Sequence, residues 1–203
     1  MLGGKPLINW SIELGRGLSS VTDTLVSTDD RTIADVATAA GALVPWLRPI
    51  ELATDTASGV EVCIHALDWY EAERGRVDGL LVLQPTSPFR SFATVERGIE
   101  LFRANPARAV LGVSPAATHP MWTFRVEGDT MLPFISGGGL HLRSQDLPPA
   151  YALNGAFYLV GPDRLRRDRS FHGGDIAPLV FEEPRESLDI DTEEDWKVVE
   201  SYL

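Results

Sequence analysis

"VDGLLVLQ" (residues 77–84) decides the fold class. Between Gly79 and Gln84 no polar residue interrupts the run, so this is not the alternating pattern of a strand with one wet face. A continuously apolar strand is covered on both sides, which is the habit of sheets layered between helices. The flanks fit that reading. Upstream, a helix is predicted from near Ser58, with Val60, Ile64, Leu67 and Tyr70 along one side. Downstream, Val95, Ile99 and Phe102 mark another helix, and "AVLGVS" (109–114) another strand.

The same rhythm runs through the first quarter of the chain. "NWSIELGRGL" (9–18) places Trp10, Leu14 and Leu18 four apart, a short amphipathic helix. "DTLVS" (23–27) reads as a brief buried strand and "ALVPWL" (42–47) as a second one. Between them Asp30 caps "RTIADVATAAG" (31–41), where Ile33, Val36, Ala37 and Ala40 form a stripe and Gly41 is the stop. After residue 152 come "AFYLV" (156–160), a short helix from Pro162, and a strand at "IAPLVF" (176–181). Thr192 and Asp195 form a capping box for a last helix bearing Trp196, Val199 and Tyr202. The βα alternation predicts an α/β fold: an open, mainly parallel sheet with helices on both faces. Ligands in such sheets bind beyond the carboxyl ends of the strands.

Residues 115–152 break the rhythm. "MWTFRVEGDTMLPFI" (121–135) predicts a hairpin turning at Glu127, Gly128 and Asp129, followed by the flexible "SGGG" (136–139) and the proline-stiffened "DLPPAY" (146–151). An arm this small buries little surface alone, so it is expected to pack on a second subunit, or else to fold as a lid on its own domain. The expected organisation is one α/β domain from 1–114 and 153–203, with 115–152 as an inserted dimerisation and substrate-side arm.

Bulk properties exclude several functions. The 203 residues carry a formal charge of −11, with no basic stripe to displace counterions from a nucleic acid. The longest apolar runs are far too short to span a bilayer, and no basic, apolar leader opens the sequence. The single cysteine, Cys63, excludes an internal disulfide and gives no metal cluster. A reducing, cytoplasmic setting is the expected default. An acidic protein that handles phosphates places its few cations locally or recruits a divalent metal. "SLDIDTEEDW" (187–196) is the obvious place for one. In an extended segment Asp189 and Asp191 share a face about 7 Å apart, and they repel unless a cation or water lies between them. Spacing alone favours a solvated acidic turn ahead of the last helix.

"STDD" (27–30), "LRPIELATDTAS" (47–58), "LQPTSPFR" (83–90), "LNGAFY" (153–158) and "DIDTEED" (189–195) are collinear and correctly spaced. Together the chain resembles the acylneuraminate cytidylyltransferase (CMP-sialic acid synthetase) family over essentially its whole length. The resemblance implies a Rossmann-like nucleotidyltransferase fold, a homodimer, and transfer of CMP from CTP to a nonulosonic sugar acid with release of pyrophosphate. It implies Mg²⁺ held at Asp189 and Asp191, which match the family's catalytic metal positions; Mg²⁺ commonly takes one or two carboxylates plus phosphate. It further implies nucleotide contacts at Arg48, Ala57, Gly59 and Gln84, and sugar contacts at Gln84, Arg143, Asn154 and Phe171. Taken singly, Arg48 fits a surface ion pair better, Asn154 a turn and Phe171 a core position, while Asp29, at the ligand-facing edge after a strand, equally fits a helix cap.

The departures from the family pattern also make expectations. Members open with a strand and a loop of the form ARGGSKG, which brings cations and backbone N–H groups to the triphosphate. "MLGGKPLINW" (1–10) matches the segment after that loop, so Lys5 is not the phosphate lysine, and weak or absent turnover is expected of this polypeptide. Gly59 replaces a common serine, Trp122 a lysine, and Ser144 and Ala152 frequent arginines, with Arg143 adjacent to compensate. Three readings stay open, in this order: a CMP-sugar-acid synthetase whose start lies further upstream; a catalytically impaired homologue that binds a sugar nucleotide or a partner subunit; and an acidic α/β protein with a structural metal.

Overall fold

A computed structural model describes residues 1–54, 56–137 and 139–203. Its centre is a four-stranded sheet of β1 (Leu80–Val82), β5 (Tyr151–Val160), β2 (Ala109–Pro115) and β6 (Ile176–Val180), in that spatial order. β2 and β6 pair in parallel, and β5 runs antiparallel to both β1 and β2. Three of the four strands therefore point the same way and only β5 is reversed; because β5 lies between β1 and β2, the sheet is mixed, with one parallel and two antiparallel pairings. The apolar run at 80–83 serves both faces: Leu81 and Leu83 join one core cluster, Leu80 and Val82 the other.

Helices cover each side. Leu14 and Leu18 from the region of α1 (Leu7–Gly17) and Val95, Ile99 and Phe102 of α4 (Phe92–Ala104) pack on Phe157, Leu159, Leu179 and Phe181. On the opposite face Ile64 of α3 (Gly59–Arg74) and Leu165 of α5 (Pro162–Asp168) meet Ala109, Leu111 and Val160. Gly98 lets α4 lie close to the sheet: a Cβ there would sit 2.5 Å from the Phe157 ring. Local signals end the helices as expected. The Asp30 carboxylate accepts from the N–H groups of Thr32 and Ile33 at the start of α2 (Arg31–Ala39), and Gly41 follows at φ +86°. Thr192 and Asp195 make the reciprocal capping box of α6 (Glu193–Glu200).

The two strands expected at 23–27 and 42–47 are a correction. These segments run parallel, but they meet in one isolated bridge, Leu25 to Leu43. Leu43 donates to the Thr24 carbonyl at 2.8 Å, and its own carbonyl accepts from Val26 at 2.9 Å. The next donor a parallel ladder needs is residue 45, which is proline and has no N–H.

The arm forms its own two-stranded ribbon, β3 (Phe124–Glu127) with β4 (Thr130–Pro133), reversing through Gly128 at φ +59°. It rises from the sheet itself, since Val113, Ser114 and Pro115 at the end of β2 pair with Leu153, Ala152 and Tyr151. Val126, Met131, Phe134 and Ile135 on this ribbon are exposed. Gly138, within the linker read as flexible, lies outside the described residues.

Candidate active site

The site is built on the loop that leaves β1. Gln84 is the first polar residue after the apolar run, and Pro85 and Pro88 prevent the strand from continuing. The chain turns instead, with Ser87 N–H donating to the Gln84 carbonyl at 3.3 Å. Ser87, Pro88, Phe89 and Arg90 then pass under the surface, Phe89 set edge-on against Trp10 with ring centroids 5.5 Å apart.

Residues 187–191 lie alongside this loop. Leu188 and Ile190 pack against the buried cluster of Leu2, Phe89 and Val199, and alternation along an extended segment turns Asp189 the other way. The Ile190 N–H donates to the Thr86 carbonyl at 3.0 Å, and the Ser87 hydroxyl donates to Asp189 Oδ1 at 3.1 Å. Asp189 is half-buried. Its charge is felt at Arg90, whose basicity burial pulls down to about 10 while Asp189 acts the opposite way. Burial, and then Asp189, push the Tyr158 hydroxyl up. Asp191 is exposed and its N–H donates to Asp195 Oδ2 at 3.2 Å.

A third segment converges at the bulge of β5. Asn154 accepts from the Ala156 N–H at Oδ1 (3.1 Å) and donates from Nδ2 to Ser114 Oγ (3.0 Å). Gly155 takes φ +71°, and a Cβ there would lie 3.1 Å from Gln84 Oε1. The strand-end amide of Gln84 and the Asn154-Gly155 pair are therefore neighbours, and glycine is what lets them approach.

The other residues expected at the site are placed apart from this cluster or turned to other partners. Arg48 donates from Nε to Ser27 Oγ at 3.2 Å and from Nη2 to the Ser27 carbonyl, so it braces the end of the 24–28 segment. It also reaches the Leu52 carbonyl at 3.5 Å, tying down the loop that leads to Ala57. Gly59 opens α3 at an exposed gap, with nothing within 4 Å of the point where a side chain would begin. Asp29 is exposed, and Asp30 rather than Asp29 caps α2. Arg143 lies exposed on the arm, paired with Asp146 at 2.9 Å. Phe171 is buried in the core beside the Tyr158 ring, 5.2 Å between centroids. Burial pushes the Cys63 thiol up to about 11, which disfavours a thiolate at neutral pH. Sequence reasoning passed over Ser87, Arg90 and Tyr158, although the first two stand inside "LQPTSPFR" (83–90).

The carboxylates suit a hard divalent cation. Asp189 is oriented by a hydroxyl, Asp191 is open to solvent, and both offer only oxygen. Among the described residues no group of three or more His, Cys, Asp or Glu side chains converges. Two carboxylates could hold only an ion that takes most of its ligands from water or phosphate.

The family model described as cytidylyltransferase matches residues 1–112. The CMP-N,N'-diacetyllegionaminic acid synthase of Legionella pneumophila subsp. pneumophila is 35% identical over 211 residues, spanning 100% of this chain and 87% of the relative. The N-acylneuraminate cytidylyltransferase of Streptococcus agalactiae serotype V is 28% identical, spanning 100% of this chain and 48% of the relative. Among solved structures, a CMP:2-keto-3-deoxy-manno-octonic acid synthetase complexed with CTP superposes with a TM-score of 0.70 at 17% identity, covering 100% of this chain and 89% of the other. A 4-diphosphocytidyl-2C-methyl-D-erythritol synthase from Anaerococcus prevotii gives 0.69 at 12% identity, covering 100% and 87%. At these identities the structures speak for the fold alone.

Proposed function

The chain belongs to the cytidylyltransferase family, and from that premise we propose that it is an enzyme transferring CMP from CTP to a nonulosonic sugar acid. The observation that carries the reading is the junction of Asp189 with the loop after Gln84, at the carboxyl end of β1. This is the edge where an α/β sheet takes its ligand. In the reaction, the anomeric hydroxyl of the sugar attacks the α-phosphorus in line. A new O–P bond forms, the bond to the β-phosphate oxygen breaks, the hydroxyl proton is lost and pyrophosphate leaves. Such a transfer gains most from positioning and from neutralising phosphate charge.

Each part of the site has a place in that chemistry. Asp189 and Asp191 would hold Mg²⁺, which when bound supplies charge neutralisation at the phosphates. Ser87 fixes the rotamer of Asp189 so that one carboxylate oxygen is committed to the protein and the other is left for a ligand. Gln84 and Asn154 present amides to the sugar. Arg48 steadies the loop carrying Ala57 and Gly59 on the cytidine side. Lys5 is engaged elsewhere, ion-paired with Glu13 and 3.9 Å over the Trp10 ring. Lys5 therefore adds no free cation to the site, and slow turnover is expected. The arm docks on a second copy of the chain, because its exposed Val126, Met131 and Phe134 have no cover of their own. No helix among the described residues is long and apolar enough to cross a membrane, and the reading places the enzyme in the cytoplasm with its nucleotide.

The test is pyrophosphate release and CMP-sugar formation from CTP, with Mg²⁺ and a panel of nonulosonic acids. Slow product formation with at least one acid, abolished by chelation, is expected. Metal-dependent CTP binding with no product from any acid would replace transfer with simple nucleotide binding.

A further inference from the structure

Arg90 is 5% exposed, and its guanidinium bridges three segments of the site. Nη1 donates to the Gln84 carbonyl at 2.9 Å and to the Ala156 carbonyl at 3.0 Å, while Nη2 donates to Ser11 Oγ on α1. All three acceptors are neutral oxygens. Nε is buried without a partner. A buried cation that forms no hydrogen bond to a carboxylate and leaves one donor empty is a costly way to fill space, and an apolar side chain would pack there more cheaply. What the guanidinium does that an apolar side chain cannot is hold two carbonyls together on Nη1 while Nη2 anchors the group to α1. Those carbonyls belong to Gln84 and to the residue whose N–H is bound by Asn154. One planar group therefore sets the spacing between the two amides assigned to the sugar.

We propose that Arg90 is a positioning residue for the sugar-acid side of the site, locking Gln84 of β1 to the Asn154–Ala156 bulge of β5. It touches neither substrate and acts through those two amides, so the assignment rests on the functional reading only for its kinetic consequence. Arg90→Lys keeps the charge but replaces a planar group with two anchored nitrogens by a single ammonium, which cannot serve both carbonyls and Ser11 in the same geometry. In that variant the side-chain amide resonances of Gln84 and Asn154 move in an NMR spectrum. The KM for the sugar acid, which meets both amides, rises about tenfold or more, and the KM for CTP, which the family resemblance brings to Gln84 alone of the two, rises by less. If the wild-type chain forms no CMP-sugar, the functional reading fails and the resonances alone decide this one. Should R90K not fold, Ser11→Ala, which removes the Nη2 acceptor together with a 3.4 Å bond from Ser11 Oγ to the Gln84 carbonyl, is expected to move the resonance of Asn154, a residue Ser11 does not touch, by less. Unmoved resonances in the folded variant, or kinetic losses shared equally by CTP and sugar acid, would overturn the assignment.

Discussion

Ser87 and Asp189, 102 positions apart in the chain, are joined by a hydrogen bond of 3.1 Å from the serine hydroxyl to the carboxylate. Ser87 is fully buried and Asp189 half-buried, so water reaches the bond from the carboxylate side only. It converts an acidic residue on a late, irregular segment into a fixed part of the β1 edge. Hydrogen bonds to a charged group are worth about 1.5–3 kcal/mol. Ser87→Ala is expected to destabilise the fold by about 1–2 kcal/mol in urea titrations. It should also weaken the Mg²⁺ dependence of CTP binding severalfold, since Asp189 becomes free to rotate. An unchanged metal titration would show that Asp189 needs no such anchor.

The last helix depends on a second carboxylate. Thr192, through its hydroxyl and then its N–H, and next the Asp191 N–H, hold the Asp195 carboxyl below its ordinary value of 3.8. Asp30 is lowered likewise by the Ile33 and Thr32 N–H groups. A group depressed in the folded state contributes stability that is complete above its unfolded pKa and disappears as pH falls through the folded one. Residues 193–200 are therefore expected to keep full amide protection above about pH 4 and to fray below it. Asp195→Ala should fray at neutral pH. Equal protection of the wild type and that variant at pH 7 would remove the capping box as a determinant of this segment.

Much of this was legible in residue periodicity. The stripes at Val60, Ile64 and Leu67 and at Val95, Ile99 and Phe102 place two helices. Val60 and Ile64 of the first, and all three residues of the second, pack on the sheet. The unbroken run at 80–83 divides between two core clusters, as its lack of polar positions requires. Of the candidate site, only part was legible. Asp189 and Gln84 follow from a family resemblance, and both meet the loop that leaves β1. Arg90 did not follow, because an arginine is expected at the surface and only the folded chain shows three acceptors converging on it. Nor does local sequence show that Pro45 cuts short the pairing of 42–47 with 23–27, since the register is set by partners distant in the chain.

The hairpin arm bears on assembly. Phe134 is 67% exposed, Val126 69% and Met131 61%, on a ribbon too small to form a core. The chain is expected to be a dimer at micromolar concentration by light scattering. Val126→Asp with Met131→Asp should give a monomer whose circular dichroism is unchanged. A wild-type monomer at that concentration would leave the arm without its second copy.

A divalent ion held by Asp189 and Asp191 is central to the proposed chemistry, and the most direct test is the thermal shift produced by CTP. Asn at both positions keeps the Ser87 acceptor while removing the charge. With the wild-type chain, CTP is predicted to raise Tm in the presence of Mg²⁺ and not in its absence. In the D189N/D191N variant it should do neither. A CTP shift of the same size in that variant, or one indifferent to metal, would contradict the metal-held nucleotide.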